Sequence, residues 1–232
     1  MSTIQQKVRT ERKLRGLTQE EIADALGISR ASYIAVEQGK REFTMHEKQK
    51  LEELFGESVQ GSIDNQNKYQ QMMLEFLSLP EFKKGVPKTK LAKLLYLADF
   101  GWFYRTLESM SRMQYRKIEF GPVPDYYFRA VDEMYGGDGV SGGGLIEIET
   151  ETTRDGYTAF MISPTRVGEQ KERDLLTQEE RDFIKEIAHK WKDAKTREIV
   201  AFTHEQLPYK ICRNNEIIPY SLITQEEPSK II

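Results

Sequence analysis

Cysteine is nearly absent: Cys212 is the single one in 232 residues. That excludes an internal disulfide and any cysteine-cluster metal site. Long apolar runs are missing as well, and nothing approaches the roughly 20 residues that a membrane-spanning helix needs. The opening stretch "MSTIQQKVRTERK" enters a charged helical pattern directly, without the hydrophobic core of a signal peptide. His46, His189 and His204 lie far apart and without metal-ligand spacing, so neither a metal nor another cofactor is expected. A large charge of one sign is lacking too. The 34 Lys and Arg against 37 Asp and Glu leave a net charge of -3, which excludes a protein coated in positive potential. With 31% charged and 38% hydrophobic residues and a mean hydropathy of -0.62, the chain reads as a globular cytoplasmic protein with no membrane partner. Its length suffices for two domains.

What is present divides into two parts. Residues 1–17 hold Lys7, Arg9, Arg12, Lys13 and Arg15 against Glu11 alone, a local basic patch suited to phosphate. From Ile4 to Phe55 short helices alternate with short turns. Thr18 with Glu21 forms a capping box, Ile22 and Leu26 share a face, and Gly27 ends that helix. Ser29 caps the next one, whose inward residues are Tyr33 and Val36, and Gly39 closes it. A further helix over about 45–55 is expected to bring Leu51, Leu54 and Phe55 to the same small core. Residues 57–68 are polar without periodicity and are expected to be a linker.

The second part opens with "YQQMMLEFLSLP", a helix stopped by Pro80. The stretch "TKLAKLLYLADFGWFYRTL" places Leu91, Leu94, Leu95, Ala98 and Trp102 at helical spacing, with Thr89 as its cap. Gly121-Pro122 is expected to be a turn, with a helix after Pro124. A glycine-rich stretch over 136–144 lacks the Lys-Ser/Thr ending of a phosphate cradle and is expected to be a loop. Strand alternation on both sides of Asp155-Gly156 predicts a hairpin. Helices over about 178–192, behind a Thr177 cap, and 195–205 follow. The fold class is therefore mainly α: an N-terminal domain of five-helix type, then a helical domain carrying a small antiparallel β-hairpin. Catalytic candidates are few. His204 with Asp99 is the one acid–base pair worth testing, and Cys212 has no nearby base. No catalytic residue is assigned.

The run "LTQEEIADALGISRASYIAVEQGKR" resembles the helix-turn-helix of phage-repressor-like (Xre-type) transcription factors, across residues 1–56. The resemblance implies that the second helix lies in the major groove of operator double-stranded DNA. It implies a phosphate contact at Gln19, groove-facing positions at Ser29, Arg30, Ala31, Ser32 and Ala35, and backbone contacts at Gln38, Lys40 and Arg41. Arg12 and Glu37 match a buried structural pair. Of the groove-facing set, Arg30 alone suits a bidentate guanine contact, so direct readout is expected to be thin. Affinity then comes mainly from phosphates, and a homodimer on a palindrome restores specificity.

In the second half, "KLAKLLYLADF", "YRKIEFGPVPDYYF", "THEQLPYK" and "IIPYSLI" resemble, in order, the Panacea or SocA-like antitoxin domain. The resemblance covers residues 69–225, leaving 226–232 as a tail. It implies an antitoxin that neutralises a cognate toxin protein by direct binding, without catalysis, and that autoregulates its operon through the helix-turn-helix. Two alternatives remain open: a phage-type regulator whose C-terminal domain senses a ligand, and an adaptor that delivers the toxin to a protease. Trp102, Tyr104 and Tyr127 are the expected toxin contacts, being large, aromatic and near turns.

Overall fold

The structure is a computed structural model that describes residues 4–14, 16–44, 46–47, 50–51, 54, 58–136, 144–152 and 158–232. The chain forms two compact units, Met1–Asp64 and Asn65–Ile232.

In the first unit α1 spans Ile4–Leu14, α2 Gln19–Leu26 and α3 Arg30–Glu37. The caps fall where the residue types demand them. The Thr18 backbone N–H donates to Glu21 Oε2 at 2.7 Å and the Glu21 N–H donates to Thr18 Oγ1 at 3.2 Å, closing the capping box. Gly27 ends α2 at φ 71, left-handed backbone that glycine enters without a steric penalty. Ser29 Oγ accepts the Ser32 N–H at 3.1 Å and caps α3, which begins at the next residue. Val8, Ile22, Ala23, Leu26, Tyr33, Val36, Phe43 and Leu51 form the core. Leu54 departs from the expected pattern: it is 37% exposed. Phe55 lies outside the described residues.

The expected linker over 57–68 is corrected from Ser58 onward, where α4 begins and runs unbroken to Leu77. Its C-terminal half buries Tyr69, Met72, Met73, Phe76 and Leu77. Polar side chains of this helix serve as ties: Lys68, from the expected linker, donates through Nζ to the buried Glu180 at 2.6 Å, and Gln71 Nε2 donates to Asp174 at 2.6 Å.

At the centre lies α5, Lys88–Thr106, buried continuously from Lys90 to Gly101. A helix apolar on all sides needs cover on all sides, and α8 (Gln178–Trp191), α9 (Thr196–Glu205) and the 3₁₀ turn Tyr220–Gln225 supply much of it. Pro87, and not Thr89, precedes its first residue. Proline fixes φ near the helical value and lacks an N–H that would go unbonded, so the chain starts α5 at Lys88, two residues earlier than a Thr89 cap predicts.

Two small sheets flank this helix. β1 (Val86–Pro87), β5 (Thr158–Pro164) and β4 (Ile146–Thr152) form an antiparallel sheet in the order β1-β5-β4, with Ile148 opposite Ile162 and Val86 opposite Ile162. The β4–β5 pair is the expected hairpin, although its tip at 153–157 and the glycine stretch 137–143 lie outside the described residues. β2 (Tyr115–Ile118) pairs with β3 (Gly121–Pro124). Gly121-Pro122 is thus strand rather than turn, and the reversal falls at Glu119-Phe120. The prolines sit at strand positions where no ladder N–H is required of them.

The remaining helices are α6 (Tyr126–Gly136), α7 (Arg166–Gln170) and α10 (Leu207–Ile211). Thr177 caps α8 with Glu180 in a second capping box. Residues 226–232 do not hang free: Ile231 is buried, and Gln206 Nε2 donates to its carbonyl at 3.0 Å. No helix among the described residues is long and apolar enough to cross a membrane.

Candidate functional site

In the N-terminal unit Arg12 and Glu37 meet as expected. Arg12 Nε lies 3.0 Å from Glu37 Oε1, with the side chains 11% and 5% exposed, and Arg12 Nη1 donates to the Leu17 carbonyl at 2.8 Å. This ties α1 to α3 and to the turn before α2. Burial alone would raise the Glu37 pKa. Bonds from Gln19 and Arg12, with the nearby Tyr33 hydroxyl and the Arg12 charge, outweigh it and hold the carboxyl below the usual range. Arg12 is therefore occupied, and the basic patch counted over residues 1–17 loses one of its cations to the core.

α3 presents little chemistry beyond what its letters suggest.

 Arg30 is 57% exposed and faces Glu20 at 3.6 Å, a solvent-screened pair that is weak enough to exchange for another partner. Ser29 and Ser32 bond each other through their hydroxyls at 2.9 Å. Ala31 is exposed, Ala35 is half-buried, and Gln38 and Lys40 are exposed past the end of α3. Two of the expected phosphate contacts have internal partners: Gln19 Nε2 donates to Glu37 Oε2 at 2.9 Å, and Arg41 pairs with the buried Glu47.

The motifs of the second unit are far apart in sequence and converge around α5. Asp99 is fully buried. Its Oδ1 accepts the Ser111 N–H at 2.9 Å, and its Oδ2 accepts the hydroxyls of Ser111 and, at 3.0 Å, Tyr115. Burial raises its pKa, with the Ser111 and Tyr115 bonds pulling the other way. Tyr220 stacks on Phe100 with ring centroids 4.4 Å apart, and its hydroxyl donates to the Met113 carbonyl at 2.8 Å. This is a satisfied structural network around a carboxyl.

One turn and a half earlier on α5, Lys93 is also fully buried. Its Nζ donates to the Pro122 carbonyl at 3.0 Å. Burial lowers its pKa to about 7. Gly121, at φ +100, has no room for a side chain: a Cβ there would lie 2.6 Å from Lys93 Nζ and 3.0 Å from His204 Nε2. His204 lies flat on Tyr209, with ring centroids 4.2 Å apart. Burial, then the charges of Lys93 and Lys117, lower its pKa. The pairing of His204 with Asp99 is thus corrected. The histidine belongs with Lys93, Gly121 and Tyr209, while Asp99 belongs with Ser111 and Tyr115.

Beside Lys93 opens a cavity of about 390 Å³. It is lined by Lys88, Lys93 and Tyr127 and by three rings that are more than half exposed, Phe120, Phe128 and Phe160. Tyr127 is corrected as a surface anchor: it is 1% exposed, and its hydroxyl donates to the Lys88 carbonyl at 2.6 Å. Trp102 and Tyr104 are half-buried on α5, with Trp102 against Phe183 at 5.7 Å. Sequence reasoning assigned no site role to Lys93 or to the three exposed phenylalanines. The signal for Lys93 was present, since it is the one charge inside "LAKLLYLA", where helical periodicity leaves no solvent face.

The comparisons with known proteins agree with this division. The helix-turn-helix family matches residues 8–61, and the family described as antitoxin SocA-like, Panacea domain matches residues 91–209. That second span contains Lys93, Asp99, Gly121, Pro122 and His204. No curated protein and no solved structure matches the chain. With a family match over half its length and the matched motifs meeting around one buried helix, the chain belongs to the antitoxin SocA-like, Panacea domain family.

Proposed function

We propose that this protein is the antitoxin of a toxin–antitoxin module, in which residues 69–225 neutralise a cognate toxin by direct binding. The helix-turn-helix binds operator DNA as a homodimer and represses the promoter of the module. The reading is carried by one observation: an antitoxin-family span and a DNA-binding span stand in the same chain. Neutralisation needs a rigid body that covers the toxin, and the continuously buried α5 supplies such a body. Trp102 and Tyr104 are the proposed toxin contacts. Leu107, 68% exposed just beyond α5, extends the apolar surface at that end.

On the DNA side, Arg30 is the proposed base reader, flanked by Ser29, Ala31, Ser32 and Ala35. Gln38 and Lys40 hold phosphates. Gln19 and Arg41 join them by exchanging their carboxylate partners for phosphate oxygens.

The test is co-expression with the product of the adjacent reading frame. That product alone is expected to arrest growth, this chain to restore it, and the two purified proteins to elute together from a sizing column. Persistent arrest together with separate elution rejects the reading. Rescue that depends on a host protease identifies delivery to that protease in place of occlusion.

A further inference from the structure

We propose that the cavity beside α5 is a binding site for a small apolar monocarboxylate, with Lys93 as the counter-charge for its carboxylate and Phe120, Phe128 and Phe160 around its apolar body. This goes beyond toxin neutralisation and does not depend on it. Its volume, about 390 Å³, lies in the range of small-molecule sites, which are concave, mostly apolar and carry a few placed polar groups.

Charge selects the ligand class. Two lysines line the cavity, and among the described residues no carboxylate does. Lys93 is fully buried, and the one acceptor shown for its ammonium is the Pro122 carbonyl, although an ammonium carries three donors. A buried cation without a counter-ion is costly, and an anion brought by a ligand removes that cost. The charge required is single. The other titratable groups facing Lys93 are His204 from α9, whose pKa is lowered, and Tyr127 from α6, whose pKa is raised by burial. Both stay neutral near pH 7, and Lys88, the other cation lining the cavity, is only part-buried with its ammonium 5.3 Å from the Phe128 ring, so the uncompensated buried charge is that of Lys93 alone. A monoanion therefore matches the site better than a phosphate dianion. The Lys93 pKa of about 7 adds a signature: a bound carboxylate holds the amine protonated, so binding above that pH takes up a proton.

The probe is 2-naphthylacetate, with 2-naphthylacetamide as its neutral analogue, titrated calorimetrically into the full chain. The acid is expected to bind more tightly than the amide by roughly tenfold, the worth of a charge-assisted bond. Near pH 8, measured in two buffers of different ionisation enthalpy, binding is expected to take up up to about one proton, falling toward none near pH 6. Lys93→Met should abolish both the preference and the proton uptake. Because that variant leaves the Pro122 carbonyl unpaired and could unfold the unit, Phe160→Ser provides a second arm. It leaves Lys93 in place and should weaken acid and amide alike, with proton uptake retained. Equal affinity for acid and amide, no saturable binding of either, or proton uptake that survives in folded Lys93→Met overturns the proposal. Rescue from the toxin is scored separately in the same variants, so failure of the ligand site and failure of the antitoxin reading are distinguished.

Discussion

Arg12 shows how much one side chain settles in a small domain. Its guanidinium spans Glu37 on α3 and the carbonyl of Leu17, and its removal leaves a part-buried carboxylate with Gln19 as its remaining donor. Breaking such a pair costs on the order of 3 kcal/mol, because the surviving charge stays desolvated. Arg12→Ala is therefore expected to melt the N-terminal unit at a markedly lower temperature, read by thermal denaturation, and to lose DNA binding as a consequence. Native melting with DNA binding lost would instead assign Arg12 to the DNA surface. Both partners were legible from the motif, as was the cap role of Ser29. The fate of Gln19 and Arg41 was not, since whether a polar side chain faces solvent or a neighbouring carboxylate depends on distances that spacing along the chain does not encode.

Among the elements, α4 departs most from its sequence. Residues 58–68 contain Gly61, Asp64, Asn65 and Asn67, weak helix formers with no apolar stripe. The following turns nonetheless bury Tyr69, Met72, Met73, Phe76 and Leu77. Once those turns are packed, adding residues at their N-terminal end avoids a new nucleation cost. Asn67 is exposed within this helix, which makes it a clean backbone probe. Asn67→Pro is expected to destabilise the protein by about 3 kcal/mol, measured by urea unfolding. A true linker would accept proline with little change. The sheets carry the same lesson. The β4–β5 alternation was readable, but β1 is two residues long and gains its identity from the edge of β5.

For the whole molecule the question is how strongly thin base readout is compensated. Lys40→Ala is expected to weaken binding to operator and random DNA alike and to flatten the log K against log salt plot by about 0.9, one phosphate contact. Arg30→Ala should cost roughly 1–3 kcal/mol on the operator and little on random DNA. Electrophoretic shifts at several salt concentrations separate the two behaviours. An equal loss on both DNAs for Arg30→Ala would make this arginine a phosphate contact.

The sequence by itself determined the two-part organisation, the caps of α2, α3 and α8, and the families that the parts resemble. These rest on local chemistry: a capping box, a left-handed glycine and helical periodicity act within a few residues and are written consecutively. Only the tertiary structure decided that Asp99 serves Ser111 and Tyr115 while His204 joins Lys93 and Gly121, and that a cavity opens beside the buried amine. Those partners lie from 12 to more than 100 residues apart along the chain, and a buried charge has no assigned neighbour until the helices have closed around it.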